Sequence, residues 1–232
     1  MKSWAEQVSP DFRFILKLPR AVTHERRLTD AGEPLRAFLN AIEPLGPRAH
    51  TLWVQLPPSF SPTSLGTLRG FLSGLPRDYR YCVEVRHRAF FDDPRAEQQL
   101  ERALGAVGAV GAEWLTFDTT ALFDGSPVSA AEREAWTKKP RLPRRTRALT
   151  SHPVVRYIGR DDPARTVAGW QPWLDVVAGW LREGRSPTMF VHTPDNVEAL
   201  ELARRFHDQV RARVPEVGPL PEPVPSGPPT LF

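Results

Sequence analysis

The chain has a single cysteine, Cys82, and no long run of apolar residues. One cysteine excludes an internal disulfide framework and is typical of a protein of the reducing cytoplasm. No apolar run approaches the roughly 20 residues that a membrane-spanning helix needs, and the N-terminus lacks the apolar core of a signal peptide. The histidines show neither HxH nor HExxH spacing, which are typical of zinc sites. These absences predict a cytoplasmic protein with no membrane partner.

What is present fits a globular domain with a mild preference for anions. The 232 residues include 41% hydrophobic and 25% charged residues, and the formal net charge is +4. Proline is abundant, with 25 residues, but most prolines mark the ends of segments or fall in the last stretch of the chain. We therefore expect one folded domain over 1–214 and a flexible proline-rich tail over 215–232.

Six short segments rich in β-branched and aromatic residues predict strands. They cover 12–19, 50–57, 79–87, 112–120, 154–160 and 187–193. Segments with helical character separate most of them, and several open with a capping residue followed by proline, such as Asp93-Pro94. Alternation of strand and helix about every 30 residues predicts βαβ units and a parallel sheet.

Polar residues recur near the carboxyl end of every predicted strand. They are Lys17, Gln55, Glu84 with Arg86, Asp118, Arg156 and His192. Because side chains alternate along a strand, these polar residues face one side of the sheet and the apolar residues between them face the other. We expect the apolar side, which includes Leu115 and Phe117, to face the helices. An open sheet covered on both faces has near-continuous apolar strands, whereas a barrel opens at its carboxyl mouth. The pattern predicts a TIM (β/α)8-type barrel that lacks its first two strands and keeps about six βα units.

Several phrases in order carry a resemblance to a known family. They are DFRFILKLPRAVTHE, LWVQLPPSF, YCVEVRHRAFF, FDTT, KKPRLP, VVRYIGRDD and FVHTPDN. Together they resemble the YecE family (domain of unknown function family 72) over nearly the whole chain. The resemblance implies a TIM barrel with two further strands at the start, and no established activity. Many members carry a histidine where this chain has Ile158. A catalytic mechanism that needs that imidazole therefore cannot apply to this chain.

Two carboxylates on successive predicted strands are the first catalytic candidates. Glu84 and Asp118 are expected to approach each other across the mouth, where they could act as general acid and base. With His192 they could instead hold a divalent metal, although no specific metal motif assigns one. The alternative is that both carboxylates only neutralise Arg86, Lys17 or Arg156 in a polar interior.

Lys17 and two histidines are further candidates at the mouth. Lys17 could form a Schiff base, bind a phosphate as a point charge, or pair with Glu84. His192 faces inward and is a candidate for proton transfer. His24 follows the first strand in a loop and is a candidate for binding the substrate.

The loops after the last two predicted strands indicate an anion site. GRDDP at 159–163 and HTPDN at 192–196 stand where phosphates bind in full barrels, close to a helix N-terminus. Arg156 and Arg160 add positive charge, and Asn196 could donate to the anion. The remaining members of this predicted site are Gln55 and Arg86. Asn196 is also an ordinary helix-capping residue, which is the alternative explanation.

A basic segment between the fourth and fifth predicted strands suggests a different partner. Residues 138–147 could follow a nucleic-acid backbone, with Trp136 stacking on a base. The cations concerned are Lys138, Lys139, Arg141, Arg144 and Arg145. A solvated loop would explain the same charges. At the C-terminus, Leu231 and Phe232 resemble short peptides that dock on the bacterial sliding clamp.

The sequence therefore leaves three hypotheses. The first is an enzyme that binds an anionic, phosphorylated small molecule at the barrel mouth and uses acid/base or metal-assisted chemistry. The second is a nucleic-acid-binding or phosphodiester-acting protein that uses the basic segment. The third is a non-catalytic barrel whose mouth is only a neutralised polar core.

Overall fold

The computed structural model describes residues 2–105 and 111–222. Seven strands are present: β1 Phe14–Lys17, β2 Ala49–Gln55, β3 Arg80–Glu84, β4 Ala112–Trp114, β5 Thr116–Asp118, β6 Val154–Ile158 and β7 Thr188–His192. The α-helices are α1 Lys2–Glu6, α2 Gly32–Ile42, α3 Leu65–Ser73, α4 Ala89–Asp92, α5 Pro94–Gly105, α6 Ala130–Lys138, α7 Pro163–Arg182 and α8 Ala199–Arg211. A π-helical turn covers Ala21–Glu25, and 3₁₀ turns cover Glu43–Arg48 and Pro62–Ser64.

The strands form two parallel sheets, in the orders β1-β2-β3-β4 and β5-β6-β7. Crossover helices connect them, as parallel pairing requires. The predicted fourth strand is divided between the sheets: β4 ends at Trp114, β5 begins at Thr116, and the intervening Leu115 donates its N–H to the Val83 carbonyl at 2.9 Å. The described strands do not close into a barrel, so the α/β class with parallel sheets is confirmed and the TIM barrel stays a prediction.

Helices cover the outer face of the second sheet. The long helix α7 starts at the Asp162 carboxylate, which accepts the N–H groups of Ala164 and Arg165, with Pro163 in the first turn. Its buried face presents Trp170 and Trp173, which join a cluster with strand residues. Trp180 joins the same cluster, so three tryptophans pack this helix against the second sheet.

The inner faces of the two sheets meet each other. Trp53 of β2 lies against Phe190 of β7, with ring centroids 6.3 Å apart. Arg156 of β6 reaches to 3.7 Å from Glu84 of β3. Side chains from both sheets therefore converge on one space at the carboxyl ends of the strands, as the alternation of Gln55, Glu84, Arg156 and His192 predicts.

One part of the predicted alternation is wrong. Leu115 and Phe117, which we expected to face the helices, lie in the inner cluster with Cys82 and Ile158. Asp118 is consequently on the helix side, in register with Tyr157. The segment 112–120 carries polar and apolar residues on both parities, so alternation alone did not identify its inner face.

The first part of the predicted tail lies along α8. Arg204 donates to the Pro221 carbonyl at 2.8 Å, and His207 Nε2 lies 2.8 Å from the Gly218 carbonyl. Leu231 and Phe232 lie outside the described residues, and the sliding-clamp hypothesis stays a prediction. Across 2–105 and 111–222, no helix is both long and apolar enough to span a membrane.

Candidate functional site

Glu84 is the centre of the inner polar cluster. It is the last residue of β3, and its side chain is fully withdrawn from solvent. One carboxylate oxygen, Oε1, accepts from Gln55 Nε2 at 3.0 Å and from Arg86 Nε at 2.6 Å. Gln55 ends β2 in register with Glu84, so parallel pairing itself brings the amide to the carboxylate. This arrangement leaves the second oxygen, Oε2, on the side of Arg156.

Two guanidinium groups flank the ring of Phe117. The Arg86 group lies 5.1 Å from the ring centroid and the Arg156 group lies 5.0 Å from it. Arg156 also lies 5.3 Å from the ring centroid of Trp53. Aromatic faces attract cations and fix the plane of a guanidinium group. Burial lowers the pKa of Arg156 and Glu84 opposes that effect, but a guanidinium stays charged in proteins.

Three buried polar atoms of this cluster have unused hydrogen-bonding capacity. Within the part of the chain that the structure describes, Glu84 Oε2, Arg156 Nε and Trp53 Nε1 have no hydrogen-bond partner. Leaving such an atom unpaired typically costs about 1–3 kcal/mol, more for a charged group. Buried polar groups are normally satisfied by protein, water or ligand. The cluster can therefore offer one acceptor and two donors to a bound molecule.

A cavity of about 290 Å³ adjoins the cluster. Its lining includes Lys139, Arg156, His192 and Asn196. His192 Nδ1 lies 3.2 Å from Asn196 Oδ1, so the amide oxygen favours the tautomer with the proton on Nδ1. Burial, followed by the positive charge of Arg156, lowers the pKa of His192. The imidazole is thus neutral at physiological pH, and its Nε2 can accept a proton.

Lys139 belongs to this site, although the sequence groups it with the cations of the basic segment 138–147. It follows directly after α6, is half-buried, and lines the same cavity as Arg156. Burial lowers the pKa of its ammonium group, the neighbouring Arg156 and Arg86 lower it further, and Glu84 partly opposes them. The helix that positions Lys139 begins at Ser129, whose hydroxyl accepts the N–H of Glu132 at 2.9 Å.

Lys17 and His24 lie on the β1 side of the same mouth. Lys17 ends β1 and is exposed, in register with Trp53. His24 lies in the π-helical turn, with Nδ1 at 2.8 Å from the Thr23 hydroxyl. Burial and then the charges of Arg20, Arg86 and Lys17 lower the pKa of His24. Both predicted residues are therefore near the cluster, and cations outnumber the single Glu84 carboxylate.

The structure corrects the prediction for Asp118. Its Oδ2 accepts from Trp173 Nε1 at 2.6 Å and from Arg144 Nε at 2.8 Å, and its Oδ1 accepts from the Thr120 hydroxyl at 2.6 Å. The carboxylate is saturated on the helix side of β5, where it does not meet Glu84.

The possible metal set of Glu84, Asp118 and His192 is accordingly not assembled. Throughout 2–105 and 111–222, no three His, Cys, Asp or Glu side chains come close enough to share an ion. The side of the sheet on which Asp118 lies is the physical reason for this outcome.

Arg160 is also not a free anion-binding residue. Its side chain is 1% exposed and forms an ion pair with the fully buried Glu132 at 2.6 Å. The remaining N–H groups donate to the carbonyls of Asp124 at 2.6 Å and Ser126 at 2.6 Å. All the donors of this guanidinium are therefore used to hold the loop before α6.

The predicted nucleic-acid segment is divided among several internal roles. Lys138 is exposed and pairs with Glu134, and Arg141 lies 4.8 Å from the ring centroid of Phe123. Arg144 holds Asp118, and the buried Arg145 pairs with Glu101 at 2.6 Å. The segment is therefore not a continuous strip of free cations. Its binding of nucleic acid stays a prediction.

Trp53 is a residue of the cluster that the sequence analysis did not name as a candidate. It stands between Thr51 and Gln55 on the inner parity of β2, so the alternation could have identified it. The position of Lys139 has no comparable local signal, because it depends on where α6 ends relative to β6 and β7.

The fold and the site define a class of protein: parallel α/β, with a buried carboxylate among cations at the carboxyl ends of its strands. Within that class, the chain belongs to the DUF72 family of proteins of unknown function, whose sequence profile matches residues 1–228. The resemblance to the YecE family is thereby confirmed.

Relatives in sequence and structure agree with this assignment. The chain is 36% identical over 218 residues to the UPF0759 protein YecE of Escherichia coli O157:H7, and this covers 94% of the chain and 79% of the relative. The corresponding protein of Escherichia coli strain K12 matches equally, at 36% over 218 residues. A crystal structure of a DUF72 family protein from Thermotoga maritima MSB8 is similar, with a TM-score of 0.62 at 20% identity, over 90% of this chain and 77% of that one.

Proposed function

We propose that the protein is an enzyme that binds a small anionic molecule, bearing a phosphate group, at the carboxyl ends of its strands. The single observation that carries this proposal is the excess of cations over carboxylates around a small cavity. Arg86, Arg156 and Lys139 surround one buried carboxylate, Glu84. Arg156 and Lys139 line the cavity of 290 Å³, and the carboxylate in its lining, Glu134, is paired with Lys138.

The buried polar atoms that lack a hydrogen-bond partner support the same proposal. Arg156 Nε and Trp53 Nε1 are buried donors without acceptors among the described residues. A phosphate group in the adjoining cavity, which Arg156 lines, would supply acceptor oxygens for the hydrogen bonds that burial removes. Glu84 Oε2 is the complementary acceptor, suited to a hydroxyl or a protonated oxygen of the same molecule.

Acid–base chemistry would be divided between two groups. Glu84 Oε2 would take or give a proton on the ligand, and neutral His192 would carry a proton through Nε2. Gln55 and Arg86 orient the carboxylate by occupying Oε1. The convergence of inner side chains from both sheets supports a barrel-like mouth, the place where active sites of (β/α)8 enzymes lie.

The test is calorimetric titration of the folded chain with inorganic phosphate and with a small phosphate monoester. We expect Arg156→Gln to weaken binding about 10- to 100-fold, since a hydrogen bond to a charged group contributes about 1.5–3 kcal/mol. Arg182→Gln is the matched control, because it removes the same charge from the exposed last residue of α7, the helix that returns from the carboxyl ends of the strands toward their amino ends.

Two outcomes would overturn the proposal: no phosphate binding by protein shown to be folded, or equal weakening in both variants. A small buried site depends weakly on salt, whereas backbone tracking by several cations loses affinity steeply. Tight, steeply salt-dependent oligonucleotide binding that is lost on neutralising 138–147 would favour the nucleic-acid alternative.

A further inference from the structure

Lysine is scarce in this chain, and its placement is uneven. The chain has four lysines against 27 arginines. Three of the four, Lys17, Lys138 and Lys139, stand at or next to the mouth where the strands end. Arginine supplies charge at nearly every other basic position. A guanidinium cannot become a nucleophile at ordinary pH, whereas an amine can.

Lys139 has the surroundings that turn an ammonium group into a reactive amine. It is half-buried on the wall of the cavity. Among the residues that the structure describes, no carboxylate forms a salt bridge with its Nζ. The nearest candidate on α6, Glu134, is paired with Lys138 instead. Burial and the charges of Arg156 and Arg86 lower the pKa of Lys139, which raises the fraction of neutral amine.

We propose that Lys139 forms a Schiff base with small aldehydes or ketones that carry a phosphate or carboxylate group. The inference rests on the proposed function, because the anionic group would be held by Arg156 and its neighbours while the carbonyl reaches Nζ. It narrows the substrate class of that site to carbonyl compounds small enough for 290 Å³.

The covalent step needs no co-reactant. The neutral Nζ attacks the carbonyl carbon, and a carbon–nitrogen bond forms. The two amine hydrogens leave with the carbonyl oxygen as water, so an imine and one water molecule replace the amine and the carbonyl. His192, which lines the same cavity, is placed to pass protons between nitrogen and oxygen.

The other two lysines near the mouth are less suited. Lys138 is 65% exposed and its ammonium group is paired with Glu134. Lys17 is exposed at the end of β1. An exposed amine is solvated as the cation, and a paired one is held as the cation. Lys138 therefore provides a matched control at the neighbouring position.

The experiment uses pyridoxal 5′-phosphate and pyridoxal, which share one aldehyde and differ by the phosphate. Each is incubated with the full chain, the imine is reduced with borohydride, and the labelled lysines are mapped by peptide mass spectrometry. We expect the phosphorylated probe to label Lys139 at least several-fold faster than Lys138, since a lowered pKa leaves a larger fraction of neutral amine and the phosphate is held in the same cavity. Inorganic phosphate should slow this labelling, and pyridoxal should label Lys139 much less.

Two charge-conserving variants make the result specific. Lys139→Arg should abolish the fast labelling, whereas Lys138→Arg should leave labelling of Lys139 unchanged. Equal labelling of all the lysines, or fast labelling that survives in Lys139→Arg, would overturn the inference. If phosphate binds and Lys139 is not labelled, only this inference fails. If phosphate does not bind, the proposed function fails as well.

Discussion

At the scale of single residues, the inner cluster depends on charges that are removed from water and only partly compensated. Glu84 has Arg86 at 2.6 Å and Arg156 at 3.7 Å. A buried ion pair contributes little net stability, because desolvation offsets most of the attraction. The unfilled hydrogen bonds of Glu84 Oε2 and Arg156 Nε add a further cost. Function at this site would explain why such an arrangement is retained.

Substitution of Asp118 tests whether this carboxylate stabilises the contact between the second sheet and α7. We expect Asp118→Asn to lower the free energy of unfolding by about 2–4 kcal/mol, because the neutral amide loses the ion pair with Arg144 and its NH2 group replaces one of the two acceptor oxygens. The donors that face that NH2 group are then left unpaired in a buried place. Phosphate affinity should stay unchanged. Chemical denaturation and calorimetry measure the two quantities.

The control for that variant is Asp175→Asn. Asp175 is 83% exposed and pairs with Arg213, so its loss should change stability by less than about 0.5 kcal/mol. Loss of phosphate binding in Asp118→Asn with unchanged stability would contradict this role and would restore Asp118 as a candidate for the chemistry at the mouth.

At the scale of elements, α7 fixes the second sheet through close contact with the strand before it. A Cβ on Gly169 would lie 2.5 Å from the Tyr157 hydroxyl and 2.5 Å from the Ala121 Cβ. That hydroxyl donates to the Thr166 carbonyl at 2.8 Å. The helix therefore approaches β6 at a distance that only glycine permits here. Asp118 depends on the same approach, because Trp173 lies one turn further along α7.

Two glycines of α7 give opposite predictions for one substitution. Gly169→Ala should destabilise the protein by about 1–3 kcal/mol, since overpacking forces the helix or Tyr157 to move. Gly179→Ala should stabilise it by about 0.5–1 kcal/mol, because nothing lies within 4 Å of the added Cβ and alanine favours the helix. Thermal and urea unfolding of both variants would measure the two changes in the free energy of unfolding. If both changes had the same sign, the packing described for α7 would be contradicted.

At the scale of the whole molecule, the two sheets present opposed inner faces with different chemistry at their two ends. The carboxyl ends carry the Glu84 cluster. Toward the amino ends, His50 and His152 meet edge to face with ring centroids 5.5 Å apart, and Arg80 lies 3.2 Å from His50 Nδ1. The positive charge at both ends is therefore partly buried, which makes the fold sensitive to additional protons.

Acid should destabilise the protein as the pH falls below about 7. Burial, followed by Arg80, lowers the pKa of His50 and His152 below the ordinary 6.5. The unfolded chain then binds more protons than the folded one as pH falls through 6.5. Stability is thus fully present above that value and is lost toward the lower folded pKa. Denaturant unfolding at several pH values measures the loss.

The double variant His50→Gln/His152→Gln is the matched comparison for the acid prediction. It should show a flatter pH profile, with the remaining slope assigned to His24 and His192, whose pKa values are also lowered. An unchanged slope in the double variant would contradict the assignment to the pair.

The sequence by itself determined where the strands lie and which side chains most of them direct inward. The predicted segments contain β1, β3, β6 and β7 and all of β2 except its first residue, Ala49. Gln55, Glu84, Arg156 and His192 all reach the inner space. This succeeds because alternation in a strand is a local property of the backbone. The family resemblance, too, is carried by linear phrases.

Only the tertiary structure decided which polar residues are left free for a ligand. Asp118 and Arg160 are saturated by partners such as Trp173 and Glu132, which lie 55 and 28 residues away in the chain. Lys139 joins the mouth only because α6 returns there. Whether a charge is neutralised depends on partners brought together by folding, and the local pattern that places a strand holds no information about them.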